Sequence, residues 1–247
     1  MEWSDKGTIL GLRRHGETSV IVELMTKAHG RHLGLVRGGR SRKLQPILQP
    51  GNDLEVVWRA RLEEHLGVYT IEPVRSRAAD LMQSRLGLSA VQLLGAQLRL
   101  LPEREVNGQL FEALQVSLDN LNNPLLLGEL LIRMELSLLT QLGFGLDLSC
   151  CASSGISTNL IYVSPKSGRA VSAAAGEPYK DRLLPLPDFL TAEHGETASR
   201  TAQDLENGFA LSRFFMQRHI YVPRAVDEPT TREEAVRLIL AAAPRSG

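Results

Sequence analysis

Between residues 7 and 71 the apolar positions come in short runs rich in β-branched and aliphatic side chains. They fall at residues 7–12 (GTILGL), 19–25 (SVIVELM), 31–36 (RHLGLV), 53–58 (DLEVVW) and 66–71 (LGVYTI). Each run has the length and composition of a strand and is bounded by turn residues. Glycine in RHGET (residues 14–18) and AHG (residues 28–30) suits tight hairpin connections, while residues 38–52 form a longer loop closed by Pro46, Pro50 and Gly51. Five strands with one long connection between the third and fourth predict a small closed or partly open barrel. The OB-fold is the foremost candidate, and its face commonly binds single strands.

Beyond Val74 the period changes to three and four. Ala78, Leu81, Met82, Leu86, Leu88, Val91, Leu94, Leu98 and Leu101 predict a helix over residues 76–101, with Gly87 as its weak point and Pro102 as its stop. A second helix is predicted over residues 108–121. The third carries Leu127, Leu131, Met134, Leu138 and Leu142 on one stripe, widened by Leu126, Leu130 and Leu139, and ends at Gly143. So much apolar circumference belongs at the centre of a bundle. Residues 145–176 lose the helical period, and residues 160–163 and 169–172 flank SPKSG as a hairpin would. Two further helices follow a Pro-marked loop. One is expected over residues 202–220, and the last opens at Thr230-Thr231 with Glu233 and Glu234 placed as a capping box, to be ended by Pro244.

The chain thus reads as α+β. A five-stranded OB-fold barrel occupies residues 1–75, an α-helical bundle is split between residues 76–144 and 179–247, and a small hairpin module is inserted at residues 145–178. Its two cysteines, Cys150 and Cys151, are neighbours and support no disulfide framework, which suits a reducing cytoplasm. No apolar run approaches the roughly 18–20 residues of a membrane helix. The start, MEWSDKGTIL, lacks the pattern of a signal peptide. A cytoplasmic protein is expected.

The 28 basic and 28 acidic residues cancel, so only local charge can attract an anion. Lys27, Arg31, Arg37, Arg40, Arg42 and Lys43 lie in residues 27–51, and no Asp or Glu occurs between Glu23 and Asp53. Nothing nearby in sequence offsets these cations, and Gly38 and Gly39 would let their loop move, which suits a phosphate chain. Arg13 and Arg14 on the first connection and Arg59 and Arg61 beyond the fourth strand extend the candidate set. His29 and His32 would add charge below about pH 6.5. Aromatic residues of the barrel are few (Trp3, Trp58 and Tyr69), so base stacking is expected to be secondary.

Catalysis has no comparable signal. The chain lacks GxxxxGK[ST], HExxH, GxSxG and a GxGxxG between strand and helix, and its adjacent acid pairs have no partner groups. The reading is of a non-enzyme without a cofactor or small-molecule substrate. A structural zinc site needs four thiolate or imidazole ligands. Cys151 is instead followed by Ser154, and residues 164–175 hold neither Cys nor His. A metal-free hairpin is expected.

Three motifs carry a family resemblance. They are the GET turn at residues 16–18, the T-x-x-x-G at residues 26–30 leading into the basic glycine-rich loop, and R-x-E-L-x-L-L-x-x-x-G at residues 133–143. With YVSPKSGRAVS at residues 162–172 they resemble the RecO family of bacterial recombination and repair proteins. The resemblance spans nearly the whole chain. It implies a mediator that binds single- and double-stranded DNA without sequence preference, anneals complementary strands and, with RecR, helps load RecA on DNA coated by single-strand-binding protein (SSB). It also implies association with the nucleoid, and a binding place for the acidic, hydrophobic tail of SSB, with Arg133, Glu129, Leu130 and Met134 as candidates. Some family members carry a four-cysteine zinc module where this chain has Cys151, Ser154 and Ser172, so the module is carried over without its metal. Two other readings compete: a general OB-fold nucleic-acid binder acting on RNA, and a helical protein-protein adaptor.

Overall fold

The computed structural model describes residues 1–191 and 200–243. Strands β1 (Glu2–His15), β2 (Ser19–Thr26), β3 (Gly30–Val36), β4 (Asp53–Arg59) and β5 (Val68–Arg75) form a closed barrel in the order β1-β2-β3-β5-β4. The first strand is longer than its apolar run. Glu2–Thr8 pairs with β4, from Glu2↔Arg59 to Thr8↔Asp53, and Gly7–His15 pairs with β2 through a ladder whose register shifts between Ile9 and Gly11. Residues 2–6 alternate between exposed and half-buried, so backbone pairing with β4 makes them a strand without an apolar run. The fifth strand is displaced for a related reason. Leu66 and Gly67 belong to the turn before it, and the exposed residues 72–75 continue the ladder with β4. A single parallel pairing, Leu35↔Val68, closes the cylinder. Ile9, Val22, Leu24, Leu54, Val56, Trp58 and Tyr69 fill it.

The predicted helix over residues 76–101 is two helices, α1 (Ala78–Gln83) and α2 (Arg85–Leu98). They part at Ser84 and not at Gly87, because the extended Ser84 accepts the Gly87 N–H on its hydroxyl and caps α2. Helix α3 (Gly108–Asp119) starts behind Asn107, whose side chain accepts the Leu110 N–H at 3.0 Å. These helices belong with the barrel. The chain divides into two compact units, Met1–Asp119 and Asn120–Gly247, so the expected boundary at residue 75 is not where the units part. Arg77, 4% exposed, ties the first unit together. It donates to Gly51 O at 2.8 Å and pairs with Asp53 at 2.7 Å and Asp119 at 3.2 Å. Helix α2 approaches β1 so closely that a Cβ on Gly95 would lie 2.8 Å from Leu10 O.

In the second unit α4 (Pro124–Gln141) is capped by Asn123 and buries Leu127, Leu131, Ile132, Met134, Leu138 and Leu139. It stops at Gly143, whose φ of +87° suits a residue without Cβ. Helix α6 (Ala202–Met216) runs past its expected end at residue 220 through a π-turn (Gln217–Tyr221) into α7 (Val222–Arg224). The short α5 (Ala173–Gly176) precedes it, and α8 (Thr230–Ala242) closes the described chain. The capping box expected on α8 is not formed. Pro229 takes the cap position without a side-chain hydrogen bond, and Glu234 pairs with Arg237. Thr201 and Asp204 make such a box on α6 instead. Pro244 and His194 lie outside the described residues. His219 packs between the rings of Phe144 and Phe215. No described helix is long and apolar enough to cross a membrane.

One ion pair lies inside this helical unit. Glu135 on α4, fully buried, receives Arg232 of α8 through two parallel bonds of 2.7 and 2.9 Å, and Ser212 of α6 donates to the same carboxylate. Three helices are thereby set in one register. The inserted module is a small sheet in the order β7-β6-β8, with β6 (Leu160–Val163), β7 (Ala170–Ser172) and β8 (Leu184–Pro185). Cys151 is buried beneath it, and its sulfur accepts hydrogen bonds from the Ser172 N–H at 3.3 Å and the Ser172 hydroxyl at 3.4 Å. Burial alone would raise this thiol, but hydrogen bonds from Ser154 and Ser172 outweigh it and bring the pKa down to about 6. One thiol and two hydroxyls do not fit the donor set of a structural zinc. The neighbouring Cys150 sulfur faces Arg169, 3.8 Å away.

Two predictions follow from these buried groups. Arg232→Ala removes the guanidinium that faces the buried Glu135 carboxylate and should cost about 3–5 kcal/mol in urea unfolding, whereas Glu135→Leu with Arg232→Met should recover most of that loss. In a Cys150→Ser background, the ultraviolet thiolate titration of Cys151 should centre near pH 6, and Ser172→Ala should move it upward. Because an unfolded cysteine titrates near about 8.5, the native state binds fewer protons between these values. Stability from Cys151 should therefore grow as pH rises through that window and vanish as pH falls through 6.

Candidate nucleic-acid interface

The basic loop is an ordered strap. A Cβ on Gly39 would meet Val20 at 2.4 Å, and Leu48 enters the barrel core. Helical turns run through it, with Leu44 N–H donating to Ser41 O at 3.1 Å and Leu48 N–H to Leu44 O at 2.9 Å. Arg40 N–H donates to Thr18 O at 3.0 Å, and its guanidinium donates to the carbonyls of Gly16 and Glu17. The expected mobile loop is thus fastened to the β1–β2 turn, since its own apolar residues complete the core. The backbone that carries its cations is ordered before any ligand arrives, which lowers the ordering cost of binding.

The candidate cations of the barrel do not form one patch. Arg14, Arg37, Arg40, Arg42 and Lys43 are exposed and gather where β1 ends, around the turn and the strap. Arg37, Arg42 and Lys43 have no carboxylate partner among the described residues. Arg13, also exposed, borders a shallow hollow with Leu12, Ile21, Leu33, Glu23 and Arg99. Arg59 and Arg61 sit at the opposite end of the barrel, where β1 begins, because the register pairs Arg59 with Glu2. Arg59 is bound to the Glu2 carboxylate through both Nε and Nη2.

Arg31 is spent internally. Its side chain is 13% exposed, pairs with Glu23 at 2.7 Å and Glu103 at 3.8 Å, and donates from Nε to Leu101 O. Lys27 lies 3.1 Å from Glu112. The absence of acids between Glu23 and Asp53 therefore does not leave the stretch uncancelled, as carboxylates from β2, from α3 and from the segment before it fold back onto it. Sequence reasoning also missed Arg99, which bonds Glu23 at 2.6 Å, and Arg104, whose guanidinium caps carbonyls of residues 63–65. No local pattern marks either.

His32 is not a pH-dependent cation. Burial and the nearby Arg104 charge push its pKa down to about 4, and its ring lies edge-on to Trp3 and Trp58. Trp58 and Tyr69 are buried, so of the three barrel aromatics Trp3 alone is part-exposed.

In the helical unit, Arg133 bonds Glu129 at 2.7 Å and also donates to Phe189 O. The other oxygen of the buried Glu129 accepts from Arg200, a residue that sequence pattern did not single out. Two guanidiniums share one carboxylate, and the site keeps a net positive charge. Leu130 is half-buried beside it. Met134 is 1% exposed and belongs to the core, so it cannot line a groove as expected.

Comparison with known proteins agrees with both halves. Residues 1–77 match the family described as Recombination protein O N terminal, and residues 93–227 match Recombination protein O C terminal. The DNA repair protein RecO of Methylobacterium nodulans is 55% identical over 96% of this chain and 98% of its own length. That of Sinorhizobium medicae is 53% identical over 98% of this chain and 96% of its own. That of Mesorhizobium japonicum is 55% identical over 94% and 91%. With both domain families matched in order and relatives aligned almost end to end, the chain belongs to the RecO family of DNA repair proteins.

Proposed function

We propose that this chain is a DNA-binding mediator of repair and recombination that engages single- and double-stranded DNA through the strap end of its barrel. It acts in the cytoplasm, at the nucleoid. The observation that carries the reading is the cluster of exposed, carboxylate-free cations on an ordered loop: Arg37, Arg42 and Lys43, with Arg13, Arg14 and Arg40 beside them. Phosphate contacts of this kind release counterions and carry no sequence information. Annealing follows from the same physics. Cations that hold backbones screen the repulsion between two strands and leave the base edges free to pair. Arg31, already paired with Glu23, and Arg59, paired with Glu2, contribute less to this surface than their charge suggests.

The proposal includes RecR and SSB as partners and RecA loading on SSB-coated DNA as the outcome, and the match to a family of DNA repair proteins supports it. For the SSB tail, Arg133 and Arg200 offer two guanidiniums against one carboxylate beside the half-buried Leu130, a chemistry that suits an acidic peptide with apolar residues.

Four to six phosphate contacts predict a log-log salt slope of about −3 to −4 for single strands. The triple variant Arg37→Ala, Arg42→Ala, Lys43→Ala should weaken binding and flatten that slope by about 2, measured by fluorescence anisotropy over a salt series. An unchanged slope would move the DNA away from the strap. Arg133→Ala, titrated against the SSB tail peptide, should bind about tenfold or more weakly, in keeping with loss of one charge-assisted contact of about 1.5–3 kcal/mol. Wild-type affinity would remove this place from the tail's path.

A further inference from the structure

The barrel end opposite the strap contains a cavity of about 430 Å³ bounded by Met1, Trp3, His29, Trp58, Glu63 and Arg104. Its rings are already arranged as a stack. Trp3 lies parallel to His29 at 3.9 Å and near-parallel to Trp58 at 5.5 Å. Asp5 holds the His29 imidazole at 3.1 Å, and the buried His32 meets Trp3 edge-on, so the stack is rigid. Such a platform accepts another flat ring at little ordering cost.

The remaining wall sets Arg104 beside Glu63. Arg104 has a left-handed backbone with φ +66°, unusual for a side chain of this size, and its amide donates to Arg31 O at 2.8 Å. Its guanidinium holds the carbonyls of Glu63 and His65, yet Nε is buried without a partner. Strain of this kind persists where function retains it. Arg61 is exposed on the same connection as Glu63, and Glu2 is offset by Arg59. The cavity therefore suits a planar ring with hydrogen-bond acceptors facing Arg104, while Glu63 and the Glu2–Arg59 pair leave no net positive charge along its lining.

We infer that this cavity receives one unpaired nucleobase of a single DNA strand, stacked against the Trp3–His29 pair, with its carbonyl edge toward Arg104. The inference rests on the DNA-binding reading above and adds to it a second contact of different chemistry. Held by backbone at one end of β1 and by a base at the other, a strand is aligned along the barrel while its intervening bases stay free. Duplex DNA cannot offer that base without unpairing. The cavity thus favours single strands over duplex.

The test uses the full chain and two oligonucleotides of equal length and equal phosphate number, oligo-dT and its abasic counterpart. Wild-type protein should bind oligo-dT about tenfold more tightly, as one stacked base would give, and oligo-dT alone should quench tryptophan fluorescence. Trp3→Ala should abolish the difference between the two oligonucleotides, and Trp3→Phe should retain most of it. His29→Ala, which leaves Trp3 in the core, should reduce the difference if Trp3→Ala fails to fold. Equal wild-type affinities, or a difference that survives in both alanine variants, would overturn the inference while leaving backbone binding intact. Failure of both oligonucleotides to bind would overturn the DNA-binding reading itself. Should the dT preference persist while Trp3→Ala loses RecR, the cavity belongs to a protein side chain and the nucleobase assignment is wrong.

Discussion

The barrel depends on one strand pairing along two edges. Through Glu2–Thr8, β1 completes a ladder with β4, and through Gly7–His15 it completes another with β2. Without the first half of β1 the cylinder would open beside β4 and expose a row of unpaired backbone groups. The two ladders overlap at Gly7 and Thr8, and the register shift between Ile9 and Gly11 falls just beyond them, within the β2 ladder. This is also what separates the two ends of the barrel. The basic strap lies where β1 finishes, and the ring-lined cavity lies where it starts.

Charge in this protein is divided between structure and ligand. Arg77, Arg31 and Arg232 are nearly buried, and each is met by carboxylates and by backbone or hydroxyl oxygens. Buried pairs of this kind specify how elements meet more than they add stability, since desolvation cancels much of their attraction. In the barrel unit they lock α1 and α3 to the strands; in the helical unit Glu135 and Arg232 register α4 against α8. Among the exposed cations without a carboxylate partner in the described residues, Arg37, Arg42 and Lys43 lie together on the strap. Net neutrality of the chain is therefore compatible with a local anion site, because opposite charges are consumed inside.

The inserted hairpin shows how a module can keep its shape with different chemistry. Ser172 offers both its amide and its hydroxyl to the Cys151 sulfur, and Ser154 adds to the same effect. The thiolate is stabilised by short-range dipoles in place of a cation, while the Asp147–Arg169 bridge and the β6–β8 pairing close the module around it. The sheet needs only that the buried sulfur has donors.

Local pattern alone set the number and order of the five strands, the positions of α3 and α4, the hairpin, and the absence of familiar catalytic motifs. These depend on periodicity and turn chemistry over a few neighbouring residues, which a chain carries in one dimension. The same pattern named the cations of the strap, but it did not say which of them are available. That was decided by residues far apart in sequence: Arg99 reaches Glu23, Glu112 reaches Lys27, and Arg200 reaches Glu129. It likewise hid the strand character of residues 2–6, which arises only from pairing with β4, and the gathering of Trp3, His29 and Arg104 at one rim. Contacts of this range exist once the barrel closes or the helices pack, so availability of charge is a tertiary property even where its amount is a property of sequence.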